Sequence, residues 1–120
     1  MKFEELDTWQ EARTLVNGIY ALTREPILAR DYGLRDQIQR AAVSVMTNIA
    51  EGFERSGGPE KLHFYNIARA SCGEVRSLLY VVEDNYPASA EKSVQLRNSA
   101  IKTGKLLSGL IASSRRRLNS

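Results

Sequence analysis

The sequence predicts an all-α protein, an antiparallel up-down-up-down four-helix bundle, and three observations carry that expectation. Apolar residues recur at helical spacing over four long stretches, and no stretch alternates apolar and polar residues over any useful length. The only prolines, Pro26, Pro59 and Pro87, punctuate those stretches as helix ends and starts do. Four amphipathic helices with mostly short connections bury all four stripes most simply as an antiparallel bundle. At 120 residues, 42% of them hydrophobic, the chain suits one domain over residues 1–120 with one modest core.

The first helix is expected from about Asp7 to Arg24, with Asp7 as N-cap and Gln10 as its capping-box partner. Its inward face is Trp9, Ala12, Leu15, Val16, Ile19, Tyr20 and Leu22, with Asn17 and Gly18 outside that arc. Residues 26–32 make the first connection. In the second helix, Leu34 to Glu54, one arc gathers Leu34, Ile38, Ala41, Ala42, Val45, Ile49 and Phe53. Val43, Met46 and Ala50 form a second, narrower stripe on the opposite flank, where a helix of a small monomer should be polar. Two apolar faces imply two partners, one inside the chain and one outside it, so a homo-oligomer is expected.

Gly57 and Gly58 permit a turn, and Pro59 opens a third helix reaching about Asn85. This helix should bury Phe64, Ile67, Ala68, Ser71, Cys72, Val75, Leu78, Leu79 and Val82. Almost opposite, Ala70, Gly73 and Ser77 make a small-residue strip that another backbone can approach, and they join Val43, Met46 and Ala50 as the candidate oligomer interface. Gly73 is equally compatible with having no packing role. Asn85, Tyr86 and Pro87 end the third helix, and Ser89 is placed to cap the fourth. The fourth helix has an apolar arc of Leu96, Ala100, Thr103, Leu107, Leu110, Ile111, Ser114 and Leu118, with Lys102, Lys105 and Arg116 on the reverse side.

Several function classes lack support. Cys72 is the only cysteine and lies among packed positions, which excludes an internal disulfide and a cysteine-based metal cluster within one chain. The first residues, MKFEELDTWQEA, are acidic where a signal peptide needs a basic region and an apolar run. No segment reaches the roughly 18 consecutive apolar residues of a membrane span, so a cytoplasmic location without membrane contact is expected. Glu60 and His63 have the Glu-x-x-His spacing of di-metal bundles, but His63 is the sole histidine and Glu60 also suits a helix N-terminus. Glu51 and Glu54 share a side of one turn, an arrangement more often surface charge than an acid/base couple. No phosphate loop, dinucleotide motif or Gly-x-Ser-x-Gly is present, so no catalytic residue, metal ligand or cofactor site is expected.

Two polar features remain. Asn48, at the edge of the second helix's apolar arc, needs partners and fits either a structural network, with Glu51 sharing it or pairing with Arg55, or a ligand-binding pair. From residue 92 onward there are seven Lys/Arg and no acid, making 115–120 a basic C-terminal end. Arg115, Arg116 and Arg117 also complement the carbonyl end of a helix, an explanation that does not reach Lys102 and Lys105. These five residues are the candidate nucleic-acid contacts, to RNA or DNA, through phosphates and not base edges.

The string YGLRDQIQRAAVSVMTNIAEGFERSG, Tyr32 to Gly57, resembles the hallmark of bacterial four-helix bundle proteins related to those encoded by intervening sequences of large-subunit ribosomal RNA genes. Phe3, Leu6, Trp9 and Ala12, then Phe64, Ile67, Ala68, Ser71 and Glu74, and finally Leu107, Leu110 and Ile111 extend the similarity over essentially the whole chain. The resemblance implies short antiparallel bundles assembled in rings of five, with a largely unassigned biochemical role and therefore a possible protein partner. A more distant branch, the accessory proteins of diversity-generating retroelements, pairs a basic pentamer with a reverse transcriptase and nucleic acid. By the same resemblance, Asn48, Ile49, Ala50, Glu51 and Gly52 occupy the central signature, as structural residues. Met46 stands where many relatives carry a proline, so no kink is expected there.

Overall fold

Four helices account for most of the chain: α1 (Asp7–Leu22), α2 (Tyr32–Glu54), α3 (Gly58–Asn85) and α4 (Ala90–Leu118). They come from a computed structural model that describes residues 1–118; Asn119 and Ser120, the tip of the expected basic end, lie outside the described residues. Sequential helices pack against each other, α1 closes the bundle against α4, and the result is an antiparallel up-down-up-down bundle about 51 Å long. Among the described residues there is no strand, and no helix is long and apolar enough to cross a membrane.

The core follows the periodicity. Leu15, Ile19, Ile38, Ile49, Leu79, Leu107 and Ile111 are fully buried, each worth about 1.5–3 kcal/mol relative to exposure. Helix α2 runs without interruption past Met46, as the absence of proline there requires. Several side-chain expectations are corrected. Tyr20 and Leu118 are exposed, not buried, and Phe53, Phe64 and Ile67 are only half-buried; Tyr20, Phe53 and Ile67 lie toward the margin of their helices' inward arcs, and Leu118 ends α4. Tyr65 is buried instead, in a space left by Gly52. Gly18 is not outside the packed face either: a Cβ there would run into the Leu96 side chain, so α4 packs on α1 where the side chain is missing.

Helix ends are also built differently from the expectation. Leu6, not Asp7, precedes α1, and the Gln10 amide donates to the Glu4 carbonyl at 2.9 Å. At α2 the cap is Asp31, which accepts from the Leu34 amide at 3.2 Å. The same carboxylate accepts from the Tyr86 hydroxyl at 2.6 Å, tying the α3/α4 turn to the start of α2. Those bonds hold the Asp31 carboxyl below its ordinary range, Tyr86 more than Leu34, and the bond to Asp31 raises the Tyr86 hydroxyl. Ser89 spends its hydroxyl on Glu25 at 2.8 Å, again across the two turns, while Lys92 sits 3.3 Å from the other Glu25 oxygen.

Candidate functional site

The central signature lies on α2 where it meets α3, and its residues differ in what they touch. The Asn48 amide donates to the Ser44 carbonyl at 2.8 Å and hydroxyl at 3.1 Å, and Ser44 in turn shares a 2.8 Å hydrogen bond with Ser71 of α3. Asn48 thus has partners on its own helix, and with Ser44 it also borders the open groove on the outer side of α2. Ile49 is fully buried, Ala50 packs against the core, and Glu51 pairs with Arg55 at 3.1 Å. Gly52 lies under the Tyr65 ring: a Cβ would stand 2.6–2.7 Å from two ring carbons. Lys61 then closes the end of α2, donating to the Gly52 carbonyl at 3.2 Å and the Phe53 carbonyl at 2.8 Å.

The six candidate interface residues fall into two groups. Met46 and Ala50 are half-buried and pack against the core, so that part of the second stripe already has a partner in the chain. Val43, also half-buried, lines an open groove of about 560 Å³ with Tyr20, Gln39, Arg40 and Thr47. On α3, Ala70, Gly73 and Ser77 are all exposed, Val81 continues their strip one turn further on, and nothing lies within 4 Å of a Cβ built at Gly73.

The basic candidates also divide. Lys102 is held by Glu11 of α1 at 3.0 Å and borders a polar groove with Asp7 and Gln10, so it does not offer an uncommitted charge. Lys105, Arg115 and Arg116 are exposed and have no ion pair among the described residues. Arg117 lies close enough to Tyr65 to oppose the rise in its phenol that burial causes. Two cations on α3, Arg69 and Arg76, escaped the sequence reading because helix four alone drew attention for its charge; both are exposed.

Among the described residues no three His, Cys, Asp or Glu side chains cluster as a metal site. His63 is exposed and meets the Phe64 ring edge-on, while Glu60 lies 4.0 Å from Arg55. Burial pushes the Cys72 thiol up to about 12, the opposite of an activated nucleophile. The largely apolar cavity between the α1/α2 and α3/α4 turns, about 290 Å³ beside Ile27, Leu28 and Pro87, is also bordered by Glu25, whose carboxylate is held by the Ser89 hydroxyl and Lys92.

The profile of the 23S rRNA-intervening sequence protein family matches residues 4–109. A crystal structure from Bacteroides thetaiotaomicron VPI-5482, described as a protein of unknown function from the S23 ribosomal protein family, is similar in fold with a TM-score of 0.72. It is 22% identical, with 87% of this chain and 94% of that chain covered. No curated protein matches the chain significantly. The match to the family's profile over residues 4–109, most of all four helices, shows that the chain belongs to the 23S rRNA-intervening sequence protein family.

Proposed function

We propose that this protein is a non-enzymatic, cytoplasmic scaffold or interaction adaptor that works as a homo-oligomer, with a ring of five as the favoured state. The observation that carries the proposal is the outward strip of α3, where Ala70, Gly73, Ser77 and Val81 leave an exposed helix face without charge over about 16 Å. A helix face of that kind lets a second backbone come close, and in a closed ring every copy would present the same strip to its neighbour. The ring number rests on the resemblance, since a strip cannot count subunits. Analytical ultracentrifugation at low micromolar concentration tests it: a multimer is expected, a dimer would keep an interface and reject the ring, and a stable monomer would reject both.

A second reading has its own observation in support. Lys105, Arg115 and Arg116 lack carboxylate partners among the described residues, and such uncommitted cations repeated around an oligomer make a field suited to phosphates. In that reading the protein is a nucleic-acid-binding accessory protein, in keeping with the retroelement branch of the resemblance. Binding to labelled RNA or DNA at about 50 mM salt, weakening steeply as salt is added, is the expected behaviour. Absence of binding at that salt would reject it.

A further inference from the structure

The charge of the chain is divided between its halves. Residues 1–60 carry seven Lys/Arg against ten Asp/Glu, whereas residues 61–120 carry ten against four. Those four acids stand aside from the middle of the α3/α4 seam. Glu83 is paired with Arg97, Glu74 borders the groove between α2 and α3, and Asp84 and Glu91 flank the α3/α4 turn.

The register of α3 against α4 places the cations. The Arg97 guanidinium lies 4.0 Å over the Tyr80 ring near one end, and Leu118 fills the space above Gly58 at the other. Between antiparallel helices these two contacts put Gly73 level with Gly104. At Gly104 nothing lies within 4 Å of a built Cβ, so the α4 side is open at that level, and Gly73 leaves the outer face of α3 open beside it. Arg69 and Arg76 stand two turns apart, about 10 Å along α3, rotated about a quarter turn from the Ala70–Ser77 strip toward α4. Arg69 bonds only to Asn66, at 3.1 Å, and Arg76 has no ion pair among the described residues. Lys105 flanks the same level on α4, and Arg115 and Arg116 carry the line about 16 Å further.

We propose that this α3/α4 furrow is the track for the sugar-phosphate backbone of a nucleic acid, with Arg69, Arg76 and Lys105 as its central phosphate contacts. The proposal rests on the nucleic-acid reading above and gives it a location: Arg115 and Arg116 continue the track, and Lys102, turned to α1 by Glu11, stands outside it. Guanidinium forks suit phosphate oxygens and cannot be deprotonated near neutral pH.

The test compares two triple variants with the same loss of charge, Arg69→Ala/Arg76→Ala/Lys105→Ala and Arg13→Ala/Arg40→Ala/Lys102→Ala, after circular dichroism shows both folded. Anisotropy titrations against labelled single-stranded RNA and duplex DNA are run from about 50 to 200 mM salt. The furrow triple is expected to lose about tenfold or more in affinity at the lowest salt and to flatten the log–log salt slope by about 2–3. The second triple should bind as the unaltered protein does. Equal losses in both triples would overturn the furrow while sparing nucleic-acid binding by diffuse charge. No binding by the unaltered protein would reject the nucleic-acid reading itself, and binding to heparin or polyglutamate alone would reassign the surface to another acidic partner and overturn the proposal.

Discussion

Gly52 on α2 and Gly73 on α3 are both helical glycines, but the space of the missing Cβ is occupied at one and vacant at the other. At Gly52 the Tyr65 ring fills it, Lys61 caps the carbonyls beside it, and Ile49 next to it is buried in the core. At Gly73 nothing answers the missing side chain, and its neighbours Ala70 and Ser77 are as exposed as it is. Gly52 is thus committed to packing within the chain, and the outer side of α3 around Gly73 is not. A surface that the fold does not need is where an interaction role has room.

Substituting the two glycines should separate the regions most strongly. Gly52→Ala must push a buried ring, and overpacking of this kind costs about 1–3 kcal/mol, read as a lower urea midpoint. Tyr65→Leu in the same chain should recover part of that loss, and an unchanged midpoint for Gly52→Ala would show that the contact is not tight. Gly73→Ala should act in the other direction: measured on dissociated chains, it gains about 0.5–1 kcal/mol from helix propensity alone. A loss there would mean that the outer strip is packed within one chain.

A smaller contrast concerns the turn end, where polar groups and not apolar packing join the helices. The folded state lowers the Asp31 carboxyl below its ordinary 3.8, so its contribution is present above that pH and lost as pH falls through the folded value. The Tyr86 hydroxyl is raised above 10, so its contribution is present below pH 10 and lost as pH rises further. Asp31→Asn should flatten the acid limb of urea midpoint against pH, and an identical limb in the variant would remove Asp31 from that role. Smallest of all is the expectation for Cys72, whose thiol is pushed up to about 12: Ellman's reagent should leave it untouched in the native protein and react promptly in denaturant.

How much of this was legible depends on how many helices a feature involves. The stripe from Leu34 to Ile49 and the C-terminal ends of α2 and α3 are properties of one helix and its period, and the sequence shows them directly. Tyr65 under Gly52, Leu96 against Gly18 and Lys61 on the end of α2 each need a second element in place, and no spacing within one helix announces them. The same holds for charge. Lys102 looks uncommitted along α4 until Glu11 of α1 stands beside it, whereas Arg69 and Arg76 look unremarkable along α3 until α4 is packed next to it. Asp31 directly precedes α2, but its second partner, Tyr86, is 55 residues away.

The central claim, that the outer strip of α3 joins copies of this chain, is tested most directly by sedimentation velocity on three proteins at low micromolar concentration: the unaltered chain, Gly73→Arg and Gly109→Arg. Both glycines face open space, so each arginine should be tolerated by the single bundle, and unchanged helix signal by circular dichroism checks that condition. The unaltered chain and Gly109→Arg are expected to sediment as the same multimer of 13.4 kDa subunits, with Gly73→Arg a folded monomer. An unaltered chain that sediments as a monomer, or a Gly73→Arg variant that assembles like it, would contradict the claim.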